Sequence, residues 1–179
     1  MSSQVKQSFI FIVLGAILAN CQPKALSYQA NKTPQQQLLG TWAMQEIHWI
    51  TPKKTYTIKN AQPGYIMFQP QRYALMWTPT QSPRKPFKVL AKPSEKETIA
   101  GFRSVVFNTG TYQVHDSLIT TTATLAKVPG FEGGKQFYKY HLKDDSLTLH
   151  FFDETYPNGQ KPEWYGKMTT KFILKKIAQ

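Results

Sequence analysis

Glu46 and His48 stand two residues apart in a run, Leu39 to Ile50, whose alternation of apolar and polar side chains is that of an extended strand. In such a strand Trp42, Met44, Glu46 and His48 share one face. On an enclosed face, a carboxylate beside an imidazole is the outline of a general acid–base pair. A bulge, or a place at the rim, would instead leave Glu46 and His48 outside, and no third residue is placed by the sequence to orient the pair, so no catalytic role is assigned. The same alternation puts Tyr73, Leu75 and Trp77 on one face of a second run, and Tyr112 with Val114 on another. Tyr138, Tyr140 and Leu142 share a face opposite Leu147, Leu149 and Phe151. If these faces turn inward they enclose an aromatic space with a few hydroxyls, the composition of a small-molecule pocket. The candidate ligand-binding residues are then Met44, Glu46, His48, Tyr73, Trp77, Tyr112, Tyr138 and Tyr140. The same rows would also serve as filler of a solidly packed interior.

Other chemistries find little support. His48, His115, His141 and His150 are scattered, and no His-x-His or cysteine pair has ligand spacing, so no metal or cofactor is expected. A Gly-x-Ser-x-Gly nucleophile turn and a glycine-rich phosphate loop are both missing. The stretch Pro129 to Phe137 reads as a connector between strands. Phe131, at its tip, suits a lid or a membrane-touching residue.

Positioning these residues requires a sheet. After Gln37 short β-like runs alternate with turn residues: Leu39 to Ile50, a weaker Lys54 to Ile58, Tyr65 to Phe68, and Tyr73 to Thr78. Later runs are Gly110 to His115, Leu118 to Leu125, Gln136 to Leu142, Leu147 to Phe152 and Trp164 to Lys175. Asp144-Asp145-Ser146 and Pro157-Asn158-Gly159 are turn signals. Pro79 to Pro93 reads as a long loop. A single helix is expected from Ser94 to about Val106, with acidic residues in its first turn. Its stripe Ile99, Phe102, Arg103 and Val106 is expected to lie against a sheet edge or barrel end. About eight to ten strands with one short helix indicate an all-β antiparallel sandwich or barrel.

The chain opens differently. Lys6 precedes an unbroken apolar run, Phe9 to Ala19, too short for a permanent span and proportioned like a secretory leader. Cys21 is the only cysteine among 179 residues, so no internal disulfide forms. Leu18-Ala19-Asn20-Cys21 resembles the lipobox of bacterial lipoproteins, with Asn20 where glycine or alanine is usual. That resemblance implies lipidation of Cys21, multiple acyl chains being enough for a stable anchor. The alternative is leader removal near Ser27, giving a soluble periplasmic protein. Gln22 after the cysteine resembles the pattern that sorts lipoproteins to the outer membrane. The organisation expected is a signal peptide over 1–20, a lipidated cysteine and flexible tether over 21–37, and a barrel over 38–179. Lysine and arginine exceed aspartate and glutamate by 22 to 10. The cations are scattered singly, as on a solvated surface with secondary attraction to membrane phosphate. An exported address argues against nucleic acid as a partner.

Four motifs recur in order. They are Leu39-Gly40-Thr41-Trp42, Pro63-Gly64-Tyr65-Ile66-Met67-Phe68, Thr109-Gly110-Thr111-Tyr112, and Lys143-Asp144-Asp145-Ser146-Leu147-Thr148-Leu149. Together, over about Leu38 to Ile177, they resemble a bacterial lipocalin-like domain family. The resemblance implies a calycin-type barrel with Gly40 and Trp42 as structural residues at its base. The arginine that closes over that tryptophan in authentic lipocalins has no counterpart, and Lys171 or Lys175 is expected in its place. Three functions fit. One is a tethered barrel holding a small hydrophobic, lipid-like ligand. Another is a cyclase- or isomerase-like enzyme. The third is a structural envelope lipoprotein with a packed interior.

Overall fold

The computed structural model describes residues 32–177. The leader, Cys21 and the first part of the tether lie outside the described residues. The elements run α1 (Pro34–Leu38), β1 (Gly40–Ile50), β2 (Thr55–Lys59), β3 (Tyr65–Gln69), β4 (Arg72–Trp77), α2 (Glu95–Arg103), β5 (Val106–His115), β6 (Leu118–Ala126), β7 (Lys135–Lys143), β8 (Ser146–Thr155) and β9 (Thr169–Lys176). Every pairing is antiparallel. β1 bonds β3 on one side and β9 on the other, so β1 and β3 to β9 close an eight-stranded barrel. β2 lies outside that circuit, beside the upper half of β1 from Glu46 to Ile50. The all-β antiparallel fold expected from the alternation is therefore present, closed as the barrel that the resemblance implies, with two short helices instead of one.

The lower end, where β1 begins, is sealed. Gly40 has φ +124°, a conformation that side chains with a Cβ rarely adopt, and it turns the chain sharply from α1 into β1. Trp42 is fully buried and its Nε1 donates to Leu38 O at 2.8 Å, which ties the barrel base to the last turn of α1. α1 starts with Pro34 behind a capping box between Thr33 and Gln36. Residues assigned from sequence to a flexible tether thus include a capped helical turn that belongs to the barrel floor. Lys176 covers the indole, its Nζ 5.0 Å from the Trp42 ring centroid. Lys171 and Lys175, the expected partners, sit at the opposite parity of β9 from buried Phe172 and Leu174 and so face outward.

Two expected boundaries move. α2 ends at Arg103 with Ser104 as its cap, and Val106, read as the end of the helix, pairs with Trp77 of β4 at the start of β5. The last strand begins at Thr169, because Trp164 O instead accepts from Lys167 N and Met168 N in a tight turn. The apolar core fills the lower and middle barrel, with Ile66, Phe68, Tyr112, Leu147, Leu149 and Leu174 among its buried members.

Candidate functional site

A bulge in β1 decides where Glu46 and His48 go. Met44 pairs with Leu174 and Glu46 with Ile173, leaving Gln45 as the extra residue. Inserting one residue inverts the alternation beyond it. Ile47 is fully buried and Trp49 packs on Trp77 at 6.3 Å, so Glu46 and His48 point to the outer wall. They do meet: Glu46 Oε2 lies 3.1 Å from His48 Nε2, and His48 Nδ1 lies 2.9 Å from Thr57 Oγ1. Of the two placements open to this pair, in the lumen behind Trp42 or outside after a bulge, that single residue decides for the second, which corrects the assignment of Glu46 and His48 as ligand-binding residues.

The remaining candidates separate into three places. Met44 and Tyr112 are buried in the packed lower core, Tyr112 against Phe68 at 4.9 Å. Tyr140 reaches the lower rim, where its hydroxyl donates to Asp116 O at 3.1 Å. Trp77 stands at the upper end, edge-on to Phe172 at 5.1 Å. Tyr73 and Tyr138 enter a buried polar chain that the sequence reading did not anticipate.

That chain crosses the barrel interior from β4 to β8. Tyr73 OH donates to Asn108 Oδ1 at 2.7 Å, and Asn108 Nδ2 donates to Gln136 Oε1 at 3.2 Å. Gln136 Oε1 also accepts from Tyr138 OH at 2.9 Å, while Gln136 Nε2 donates to Glu154 Oε2 at 2.7 Å. Both phenols, Asn108 and Gln136 are buried. Each donor points along the chain, so the arrangement terminates on the Glu154 carboxylate. Burial pushes the Tyr73 phenol up to about 12. Burial also raises Tyr138, helped by nearby Tyr73 and Glu154, so both phenols stay protonated as donors. Burial raises the Glu154 carboxyl as well; its bond from Gln136 pulls the other way, and Asp153 adds to the rise.

The polar chain opens onto a cavity of about 370 Å³ at the upper end. Its polar wall is Asn108, Gln136 and Glu154; its apolar wall is Val106, Ala126, Val128, Phe131 and Tyr156. Space exists here where the small Ala126 faces Asn108 across β5 and β6. Gly110 sits at a second bulge, where a Cβ would lie 2.0 Å from Thr122 O, so the two backbones approach closely only without a side chain. Phe131 closes one side, edge-on to Tyr156 at 6.3 Å, and the loop behind it is held by Gly133 N to Ala123 O and Gly134 N to Phe131 O. Of the eight candidate residues none lines this cavity; Tyr73 and Tyr138 stand one hydrogen bond behind its wall.

The lipocalin-like domain family matches residues 39–171. The chain belongs to that family. Two solved structures resemble the lipocalin-like barrel. One is an uncharacterized protein from Bacteroides eggerthii, 14% identical, with 78% of this chain and 99% of that one covered and a TM-score of 0.40. The other is a lipocalin-like protein from Bacteroides uniformis, also 14% identical, with 79% and 99% covered and a TM-score of 0.39. Comparison with curated proteins found no match.

Asn108 and Gln136 were within reach of sequence reasoning, for each precedes an inward tyrosine at even spacing, Asn108-x-Gly110-x-Tyr112 and Gln136-x-Tyr138. Glu154 was not. Strict alternation from Leu149 and Phe151 brings Asp153 inside, but a third bulge leaves Phe152 unpaired and puts Glu154 opposite Gln136.

Proposed function

We propose that this lipocalin-like barrel is a binding protein whose ligand is a small amphipathic, lipid-like molecule held in the upper cavity. The polar end of the ligand meets Glu154, Gln136 and Asn108, and its apolar part lies against Val106, Val128, Phe131 and Tyr156. The observation that carries this reading is the cavity itself, whose single polar wall is backed by an oriented hydrogen-bond chain. Its volume of about 370 Å³ is at the small end of ligand sites. A preformed polar wall in an apolar recess fixes orientation without the ordering cost that a flexible site would bear. The Glu46–His48 pair, on the outer wall, has no part in it.

We also infer that the barrel is exported to the periplasm and anchored to the outer membrane through acylated Cys21. That reading rests on the leader, the lipobox-like sequence and Gln22. Labelling with a radioactive fatty acid tests it: incorporation that disappears in Cys21→Ser is expected, and equal incorporation in both would remove the anchor.

Native mass spectrometry of protein from its own host should reveal a bound lipophile. A fluorescent fatty acid should bind the purified chain and be lost in Ala126→Phe, whose ring fills the cavity between Asn108 and Val128. Binding that survives Ala126→Phe unchanged would place any ligand elsewhere.

A further inference from the structure

The excursion between β4 and β5 carries its apolar side chains on the outside. α2 buries none of its residues: Ile99 and Phe102 are exposed, and so are Val89 and, at 80%, Leu90 in the preceding loop. The stripe expected to lie against a sheet edge or barrel end thus leaves Ile99 and Phe102 exposed. The segment is nevertheless well tied. Glu97 caps α2 by accepting from Ser94 N at 2.8 Å and holds the loop by accepting from Lys88 N at 2.9 Å. Phe87 covers Gly101, where a Cβ would lie 2.7 Å from its ring. Lys127 reaches over from the end of β6 and donates to Phe102 O and Val105 O at 2.9 and 2.6 Å, its ammonium 4.5 Å from the Phe102 ring centroid. Leu125 and Val128, flanking Lys127, are exposed as well.

The charge of this segment is one-sided. From Arg84 to Arg103 the sequence has six cations (Arg84, Lys85, Lys88, Lys92, Lys96 and Arg103) against Glu95 and Glu97, and Glu97 is engaged in the cap. Exposed apolar side chains interspersed with lysines, on a tied but unburied loop and helix, lack the packed centre of a protein-docking site. They match a surface that is apolar beneath and negative above. Among the described residues no helix is long and apolar enough to cross a membrane, so contact would be interfacial.

We propose that this face docks on an anionic lipid bilayer, with Leu90, Ile99 and Phe102 entering the headgroup boundary and the surrounding lysines pairing with lipid phosphates. The face shares Lys127 and Val128 with the wall of the upper cavity, so docking turns the cavity mouth toward the lipid. The proposal stands whether or not the cavity holds a ligand.

Hydrogen exchange of the full chain decides it, measured on phosphatidylcholine vesicles and on vesicles also containing phosphatidylglycerol. Amides of residues 85–103 should exchange roughly tenfold more slowly on the anionic vesicles alone, since each cation near such a surface is worth about a fivefold gain in partitioning. Leu90→Ser/Phe102→Ser and Lys88→Glu/Lys92→Glu, all at exposed positions, should each abolish that protection while leaving the far-ultraviolet circular dichroism of the barrel unchanged. Equal exchange on both vesicle types, or protection that both variants retain, would overturn the proposal. Loss of fatty-acid binding in solution would bear only on the cavity.

Discussion

Gln136 holds three partners at once, which makes Gln136→Leu the sharpest test of the interior described above. The substitution nearly conserves volume, so it leaves little void. What it removes is the acceptor for Asn108 Nδ2 and Tyr138 OH and the donor to Glu154 Oε2. Asn108 and Tyr138 are buried, and each orphaned group costs about 1–3 kcal/mol. Glu154 borders the cavity and regains a partner from water there. The expected destabilisation is therefore about 2–6 kcal/mol, a large share of the stability of a domain this size. Urea unfolding followed by tryptophan fluorescence measures it. A second variant isolates the cause. Adding Tyr138→Phe removes one orphan, so the double variant should be more stable than the two single losses combined imply, by about 1 kcal/mol or more. Strict additivity, or a loss below about 1 kcal/mol for Gln136→Leu, would refute the claim that these hydrogen bonds are made in a dry interior.

Three further outcomes are expected. Gly110→Ala puts a Cβ 2.0 Å from Thr122 O, a contact with backbone that cannot swing away; thermal unfolding should report a loss of about 2–3 kcal/mol or a shifted β5–β6 pairing. Lys176→Met removes the cation over Trp42 and should cost about 0.5–1 kcal/mol, whereas Lys171→Met and Lys175→Met should stay within about 0.5 kcal/mol of the parent; the reverse order in urea midpoints would refute the placement of Lys176. Burial raises the folded Glu154 pKa above its ordinary 4.5, so the folded state holds this proton longer than the unfolded chain. The contribution of Glu154 to stability is then full below the unfolded value and declines as pH rises through the folded value. Glu154→Gln should flatten that part of the profile in urea midpoints taken between about pH 4 and 8, and an unchanged slope would contradict it.

The alternation of Tyr73, Tyr112, Tyr138, Leu147 and Leu149 announces inward faces, and turn signals such as Asp144-Asp145 place hairpins, because period-two patterning is written one residue at a time. Local chemistry likewise marks the cap of α2 at Ser94 and Glu97. The outward stripe of α2 was less legible: an apolar helical face looks the same in sequence whether a sheet or nothing covers it. Gly40, Gly64 and Gly110 are visible in the ordered motifs, yet the reason Gly110 must be glycine is the nearness of Thr122 O on another strand.

What the sequence alone determines here is the kind of structure: an all-β antiparallel fold with aromatic faces, to which the resemblance of its ordered motifs adds a barrel with its base at Gly40 and Trp42. What only the tertiary structure decides is which polar side chains that interior receives. One unpaired residue at Gln45 sends Glu46 and His48 outside, and one at Phe152 brings Glu154 in. A bulge depends on how two strands match in length and twist, a property of the pair that neither strand carries in its own residues.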